Sequence, residues 1–315
     1  MQKKPDWLRT RISNHEQIEE TAKLVRTMNV QTICDNAECP NIGECFGKKT
    51  ATFMILGELC TRRCRFCAVG KGEAGPPDPE EPARIGKAVK EMGLRHVVVT
   101  SVTRDDLPDG GAMHFVNTVR EIRKSNPDST VELLIPDLMG NWKALALIAG
   151  EDPEILNHNV ETVPALYEEV RPKAVYERSL LLLKKAKEIN PNLFTKSGIM
   201  VGLGETEEQV RAVMDDLRAV DCDILTIGQY MQPSPEHIAL KEYVTPETFE
   251  RYRLTGLEKG FSDVAAGPFV RSSYNAAKSL EKLAETRSFM GIASLFRLWP
   301  FWAVLYRNPL KSKPN

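Results

Sequence analysis

Short apolar runs recur along the chain at residues 52–56, 96–102, 130–135, 154–157, 198–201 and 223–227. Each is short, β-branched or leucine-rich and bounded by polar residues, which predicts strands. Helical spacing fills the gaps between them. Ile85, Val89 and Met92 share one face, and Val210, Val213, Met214, Leu217 and Val220 fall at i, i+3, i+4, i+7 and i+10. Residues 180–189 give another helical pattern, and 16–28 a shorter one with Ile18, Ala22, Leu24 and Val25 as its apolar face. Breakers such as Pro76–Pro77, Gly110–Gly111 and Pro191 separate the units. Strands alternating with helices imply a parallel sheet joined by crossovers. Six strands are too few to close an eight-stranded barrel. The expected fold class is therefore α/β, a partial (βα)6 barrel of TIM type. An open doubly wound sheet is the alternative that pattern alone leaves standing. The expected organisation is an N-terminal extension over 1–49, the barrel over 50–260, a C-terminal segment over 261–282 and an apolar tail over 283–315.

Composition adds little until the cysteines are considered. A net charge of -1 gives no global basic field, so no nucleic-acid partner is expected. The first 15 residues contain no apolar signal core, and Asp6, Glu16, Glu19 and Glu20 bring acids early, so the expected location is cytoplasmic. The stretch 288–306 is strongly apolar and aromatic, yet Arg297 and Pro300 interrupt it, which argues against a spanning helix. Trp299, Trp302 and Tyr306 would suit a membrane surface or a partner groove. Packing against the barrel, or an extension without function, is the favoured reading.

Seven cysteines are present, and six of them lie within 34 residues. A reducing compartment disfavours a disulfide framework, and tight clustering favours metal. Cys222 stands alone in an apolar stretch and reads as a small buried hydrophobe. Cys60, Cys64 and Cys67 form a C-x3-C-x2-C group directly after the first barrel strand, at the sheet edge where such folds place active sites. Three thiolates on one loop hold three irons of a 4Fe-4S cluster and leave the fourth iron open. Structural zinc wants four closed ligands, and no histidine lies in the loop to complete them. Cys34, Cys39 and Cys45 form a second three-ligand group, C-x4-C-x5-C. Two groups on two loops point to two clusters, although spacing alone also allows one shared site or two zinc sites.

Here the sequence resembles a known family. The C-x3-C-x2-C group matches the signature of the radical S-adenosylmethionine superfamily. The upstream C-x4-C-x5-C group is similar to the one that marks the lipoyl synthase family within it, and Arg271-Ser272-Ser273-Tyr274 matches that family's closing R-S-S-Y motif. Residues 100–111 (TSVTRDDLPDGG), Asn157-His158-Asn159 and 196–205 (KSGIMVGLGE) also look familial, and the likeness runs from about residue 5 to about residue 277.

The resemblance implies a radical S-adenosylmethionine partial barrel with two 4Fe-4S clusters. The cluster on Cys60, Cys64 and Cys67 would bind S-adenosylmethionine at its open iron. The cluster on Cys34, Cys39 and Cys45, with Ser273 as fourth ligand, would be the sulfur source for carbons 6 and 8 of a protein-bound octanoyl group. A hard alkoxide among soft thiolates makes Ser273 the expected releasable ligand; read without the family, it is a loop hydroxyl bonded to nearby backbone. The unactivated C–H bonds of octanoyl explain why a cofactor must carry the chemistry. Ser101, Arg104, Asn157, His158, Lys196, Gly202 and Gly204 are the expected cofactor-binding residues, with Asp105 near them. Each also has a plainer reading: a solvated loop for 100–111, a structural histidine for His158, an ordinary turn for Gly202 and Gly204. Arg62, Arg63 and Arg65 would moderate cluster charge or meet an electron donor, or else form a solvated run. Phe66 would pack near the adenine or in the core. Expected partners are octanoylated lipoyl-carrier domains (2-oxoacid dehydrogenase E2 subunits and glycine cleavage H protein), a ferredoxin or flavodoxin donor and an iron–sulfur cluster carrier. The competing functions are another radical sulfurtransferase or methylthiotransferase, and, from a different class, a zinc-stabilised binding module.

Overall fold

The computed structural model describes residues 3–8, 15–37, 39–48, 50–274 and 276–283. The apolar stretch 288–306 lies outside the described residues. Contacts divide the chain into a unit spanning Met1–Ala276 and a second unit beginning at Ala277, whose described residues 277–283 are helical.

The first unit is built on one sheet of eight strands whose spatial order follows the chain: β1 (Gln31–Thr32), β2 (Thr52–Ile55), β3 (His96–Ser101), β4 (Thr130–Leu134), β5 (Ile155–Asn157), β6 (Phe194–Val201), β7 (Ile224–Gln229) and β8 (Asp263–Gly267). A doubly wound sheet reverses its strand order at a switch point. Here every neighbour is the next strand in sequence, and the sheet does not close on itself, as a partial barrel requires. All pairs from β2 to β8 are parallel, whereas β1 pairs antiparallel with β2, Gln31 opposite Met54.

The six predicted strands are all present, with β6 starting four residues earlier than its apolar run because Thr195, Lys196 and Ser197 are polar strand residues buried on the sheet's two faces. Two strands are added. β1 has only two residues, and β8 reads Asp-Val-Ala-Ala-Gly, too small and too short to register as an apolar run. β8 lies beyond residue 260, so the sheet continues into the segment expected to follow the barrel.

Crossover helices cover the outer face: α4 (Glu81–Met92), α5 (Ala112–Ser125), α6 (Trp142–Gly150), α8 (Tyr176–Ile189), α9 (Glu207–Ala219) and α10 (Pro246–Glu258), with the one-turn α7 (Tyr167–Val170) before α8. Their apolar stripes are buried, for example Ile85 and Val89 of α4 against Phe115, Val119 and Ile122 of α5. Gly86 permits that approach, since a Cβ there would lie 2.6 Å from the Glu121 carbonyl oxygen. Helix α9 starts on a capping box, with Thr206 and Gln209 satisfying each other's backbone N–H groups. The N-terminal extension contributes α1 (His15–Thr27), α2 (Ile33–Asn36) and α3 (Ile42–Gly47), the last two carrying Cys34 and Cys45.

The chain beyond β8 returns across β7 at close range. A Cβ on Gly228 would lie 2.1 Å from the Val270 carbonyl oxygen, a backbone atom with nowhere to go. Gly228→Ala is therefore expected to cost about 1–3 kcal/mol, read as a lowered thermal unfolding midpoint with lost hydrogen-exchange protection over 268–274. Gly150→Ala, where no atom lies within 4 Å of the new Cβ, is the control and should be neutral or slightly stabilising.

Candidate active site

The loop after β2 carries the C-x3-C-x2-C group, and its conformation is fixed from several sides. It opens on Leu56 and Gly57, at φ 71° and 90°. Leu56 is not glycine, so this left-handed turn is strained, and both faces of its peptide are held. The Glu81 carboxylate accepts the Leu56 N–H at 2.8 Å, and Arg104 Nη1 donates to the Leu56 carbonyl at 3.3 Å. Further along, Cys60 N–H donates to Gly70 O at 2.8 Å, Thr61 N–H to Thr103 O at 3.0 Å and Arg65 N–H to Val170 O at 2.9 Å. The Cys67 carbonyl accepts from His237 Nε2 at 3.1 Å.

The thiols Cys60, Cys64 and Cys67 stand within electrostatic reach of one another. Backbone N–H groups of Arg62 and Thr103 point at Cys60 Sγ, each at 3.4 Å, and the Val69 N–H points at Cys67. Such donors stabilise sulfur that carries negative charge and tune a bound cluster's potential. Burial pushes the Cys67 thiol up to about 12 and raises Cys64, the second against the pull of the buried Arg171. Metal loading must therefore expel protons from this loop. Three convergent thiols with N–H donors on their sulfurs fit a three-cysteine cluster site.

The second group is assembled from both ends of the chain. Cys34, Cys39 and Cys45 are mutually coupled, and burial raises Cys34 to about 12 and Cys45 to about 11. The backbone N–H of Thr52 points at Cys34, while the Thr52 hydroxyl donates to Ser273 Oγ at 2.9 Å. Asn41 Nδ2 donates to Phe269 O at 2.6 Å, Tyr274 OH reaches the Glu44 carboxylate at 3.1 Å, and Arg271 stands within electrostatic reach of Cys39. The R-S-S-Y residues thus lie against the first cysteine group, more than 220 positions away in sequence. A soft thiol set with a hydroxyl beside it fits the second cluster's donor set. Among the described residues, no three His, Cys, Asp or Glu side chains converge on a single metal ion.

The other predicted residues sort by what they touch. Ser101 ends β3 and Asn157 ends β5, and Ser101 Oγ and Asn157 Oδ1 are buried atoms with no partner in the protein. Orphaned polar atoms at the carboxyl edge of a parallel sheet are the places where a bound molecule would be met. The other five are engaged by the protein itself. Arg104 is 2% exposed and commits its guanidinium to Asp106, Leu56 O and Gly75 O, which ties it to both ends of the cluster loop. His158 binds Ile135 O at 2.8 Å through Nδ1 and Ser179 Oγ at 2.9 Å through Nε2, so both ring nitrogens are engaged within the protein. Lys196 donates to Glu132 at 2.9 and 3.2 Å in the barrel interior, not to an open site. At Gly202, φ 98°, the space a Cβ would take is filled by Gln229 Nε2 and the Glu242 carbonyl, so this glycine serves a tight turn against protein. Gly204, φ 113°, continues that turn, and the Glu205 carboxylate caps it from Gly202 N and Leu203 N.

Three features of the site were not read from the sequence. Arg62 is 3% exposed rather than solvated, and bridges Asp105 at 2.8 Å and Asp137 at 2.5 Å; Arg178 reaches Asp137 from the other side at 3.1 Å. Burial opposes charge on Asp137, but Arg62 outweighs it and holds the carboxyl near 2. Arg171 donates to Asn159 O, Val160 O and Tyr167 OH, and faces Cys64. Glu161, at φ 68° and raised by burial, faces Cys64 and Cys67. Among the described residues seven non-glycine positions are left-handed, and Leu56 and Glu161 are the two of them that bear on the cysteine loop; neither is visible as such in a sequence. Phe66 packs with Val170, Leu203, Tyr230 and Ile238, a small apolar cluster apart from the main core.

The Radical SAM superfamily pattern matches residues 54–217. A lipoyl synthase from Caldanaerobacter subterraneus subsp. tengcongensis is 58% identical over 87% of this chain and 96% of its own length. The lipoyl synthase of Alkaliphilus metalliredigens is 52% identical over 91% of this chain and 99% of its own. The chain belongs to the lipoyl synthase family. It is accordingly a radical S-adenosylmethionine enzyme of the sulfur-inserting kind, and a 4Fe-4S cluster and S-adenosylmethionine come with that superfamily. The fold agrees: methylornithine synthase, 14% identical, superposes with a TM-score of 0.51 over 78% of this chain and 77% of that one. No helix among the described residues is long and apolar enough to cross a membrane.

Lipoyl synthase architecture here rests on buried groups whose protonation is set by the fold. Burial first, and the nearby Arg171 charge second, lower His158 to about 4. The unfolded histidine takes up its proton near 6.5, so stability present above that pH is lost as pH falls toward 4, by on the order of 3 kcal/mol. His158→Gln should flatten urea unfolding measured between pH 7 and pH 4.5. In wild type, Glu132, held near 2 by Lys196 and His96 against its burial, adds a further loss only below its unfolded range near 4.5.

Proposed function

We propose that the chain inserts sulfur at carbons 6 and 8 of an octanoyl-lysine carried on a lipoyl-carrier domain, taking it from a second 4Fe-4S cluster on Cys34, Cys39, Cys45 and Ser273. The observation that carries this reading is Thr52. One strand residue directs its backbone N–H at Cys34 and its hydroxyl at Ser273, 2.9 Å away, which joins the cysteine group and the R-S-S-Y motif as one donor set. Three thiols with a hydroxyl supply four ligands from two distant parts of the chain, as a closed cluster needs.

When bound, the cluster on Cys60, Cys64 and Cys67 supplies the electron that cleaves S-adenosylmethionine, and the second supplies sulfur. The chain's own residues do the rest. Arg62 and Thr103 N–H groups offset charge on Cys60, and Arg171 does so at Cys64. Ser101 Oγ and Asn157 Oδ1 offer buried polar contacts to a bound cofactor, and Glu161 offers a carboxylate that faces Cys64 and Cys67. The strained opening of the cluster loop is held by Glu81 and Arg104, so the thiols stay in place when the loop is empty. Arg63 and Arg65, exposed on the cluster loop, are suited to an acidic electron donor such as a ferredoxin or flavodoxin. The carriers would be 2-oxoacid dehydrogenase E2 subunits and glycine cleavage H protein, with a cluster carrier to rebuild the consumed site, in the cytoplasm.

The test is anaerobic. Protein reconstituted with iron and sulfide is given dithionite, S-adenosylmethionine and an octanoyl-lysine carrier domain, and the carrier is followed by mass spectrometry. The dithiolated carrier is expected, with Cys34→Ala abolishing it while 5′-deoxyadenosine still forms. Formation of 5′-deoxyadenosine with an unchanged carrier in the wild type would overturn the substrate assignment.

A further inference from the structure

Ser272, the first serine of the R-S-S-Y motif, is tied to the opposite half of the site. Its hydroxyl donates to Asn159 Oδ1 at 2.6 Å and accepts from Asn157 Nδ2 at 3.0 Å. Asn159 is held in turn. Its Nδ2 donates to the Glu161 carboxylate at 3.1 Å, and its carbonyl accepts from Arg171 at 3.0 Å. Glu161 and Arg171 are the two charged groups that face Cys64. One asparagine side chain therefore touches the cofactor-side carboxylate with one end and the C-terminal motif with the other.

The surroundings leave little freedom in this arrangement. Gly198 on β6 makes room for it, because a Cβ there would lie 2.8 Å from Asn159 Oδ1 and 2.7 Å from Thr226 Oγ1. Asn157 Nδ2 is shared with Glu132 Oε1 at 2.9 Å, and Glu132 is fixed by Lys196. Glu161 is pinned at its backbone, donating to Gly198 O and accepting from Met200 N, both at 2.9 Å. The next residue after Ser272 is Ser273, whose hydroxyl meets Thr52. Fixing Ser272 at two points leaves Ser273 little room except toward Thr52 and Cys34.

We propose that Ser272 is a positioning residue, which sets Ser273 against the first cysteine group through Asn159 and so joins the placement of the fourth ligand to the cofactor side of the barrel. This rests on the reading of Ser273 as a cluster ligand. It follows that an occupant drawing Glu161 or Asn159 into new hydrogen bonds also alters how tightly Ser273 is held.

The experiment uses the full chain carrying Cys60→Ala, Cys64→Ala and Cys67→Ala, so that iron is bound only at the second group. After reconstitution, the rate of iron loss to a ferrous chelator and the Mössbauer spectrum are recorded. Ser273→Ala should accelerate the loss and change the signal of one iron. Ser272→Ala should accelerate it about five- to tenfold, the worth of roughly one lost hydrogen bond, and Ser272→Thr, which keeps the hydroxyl, should restore the wild-type rate. Asn159→Ala should also accelerate it, by no more than Ser272→Ala, and the double variant should lose iron no faster than Ser272→Ala alone, because Ser272→Ala already removes the bond that Asn159→Ala removes. If Ser273→Ala releases iron at the wild-type rate, the ligand reading itself falls. If Ser273→Ala accelerates release but Ser272→Ala and Asn159→Ala do not, or if their effects add, the positioning role is overturned and the ligand reading stands.

Discussion

The contact between Thr52 and Ser273 is the constraint on which the rest of the site depends. Thr52 begins the first parallel strand, and its neighbours in space are the extension's cysteines on one side and the closing motif on the other. Neither flanking segment has a large core of its own. Val25, Val30 and Phe46 of the extension pack into the main core, and short polar links tie the extension to the closing segment: Asn41 to Phe269 and Tyr274 to Glu44. The barrel supplies the rigid frame, and the two cysteine groups are referred to it by strand β2, whose far end opens the loop of the other group.

The barrel interior is not an apolar core. Glu132, Asn157 and Lys196, which face one another across β4, β5 and β6, are all at most 1% exposed. Burying a carboxylate and an ammonium costs several kcal/mol per ion before pairing, and a pair of this kind adds little net stability over a hydrophobic filling. What it adds here is direction. Lys196 occupies both Glu132 oxygens and Asn157 takes one of them, so the end of β5 is oriented from below. The orphaned Oδ1 of Asn157 then faces a fixed direction instead of rotating to find its own partner.

Much of this could be read from the sequence, and the limits were physical. Parallel strands covered on both faces are continuous apolar runs, which is why six of them stood out. β8 did not, because alanine and glycine carry no periodicity, and β1 is shorter than any pattern. The cysteine spacings pointed to open three-ligand sets from the residues alone, whereas Ser273 owed its role entirely to resemblance. Lys196, His158 and Arg104 show the limit most clearly. A polar residue at a strand end is equally suited to a ligand or to a buried partner, and the partners Glu132, Ser179 and Asp106 become known only when the chain is folded. Arg62 went the other way: it reads as one of three exposed arginines until Asp105 and Asp137 are placed around it.

The burial of the thiols has a consequence for the chain before it acquires iron. Burial raises the Cys34 and Cys67 thiols well above the ordinary thiol range, so at neutral pH both are held as the neutral thiol rather than the nucleophilic thiolate. Peroxide, alkylating agents and disulfide exchange all act through that thiolate. In the folded chain these two positions are poor targets for such reagents, and a metal, which displaces the proton directly, is the partner these thiols suit.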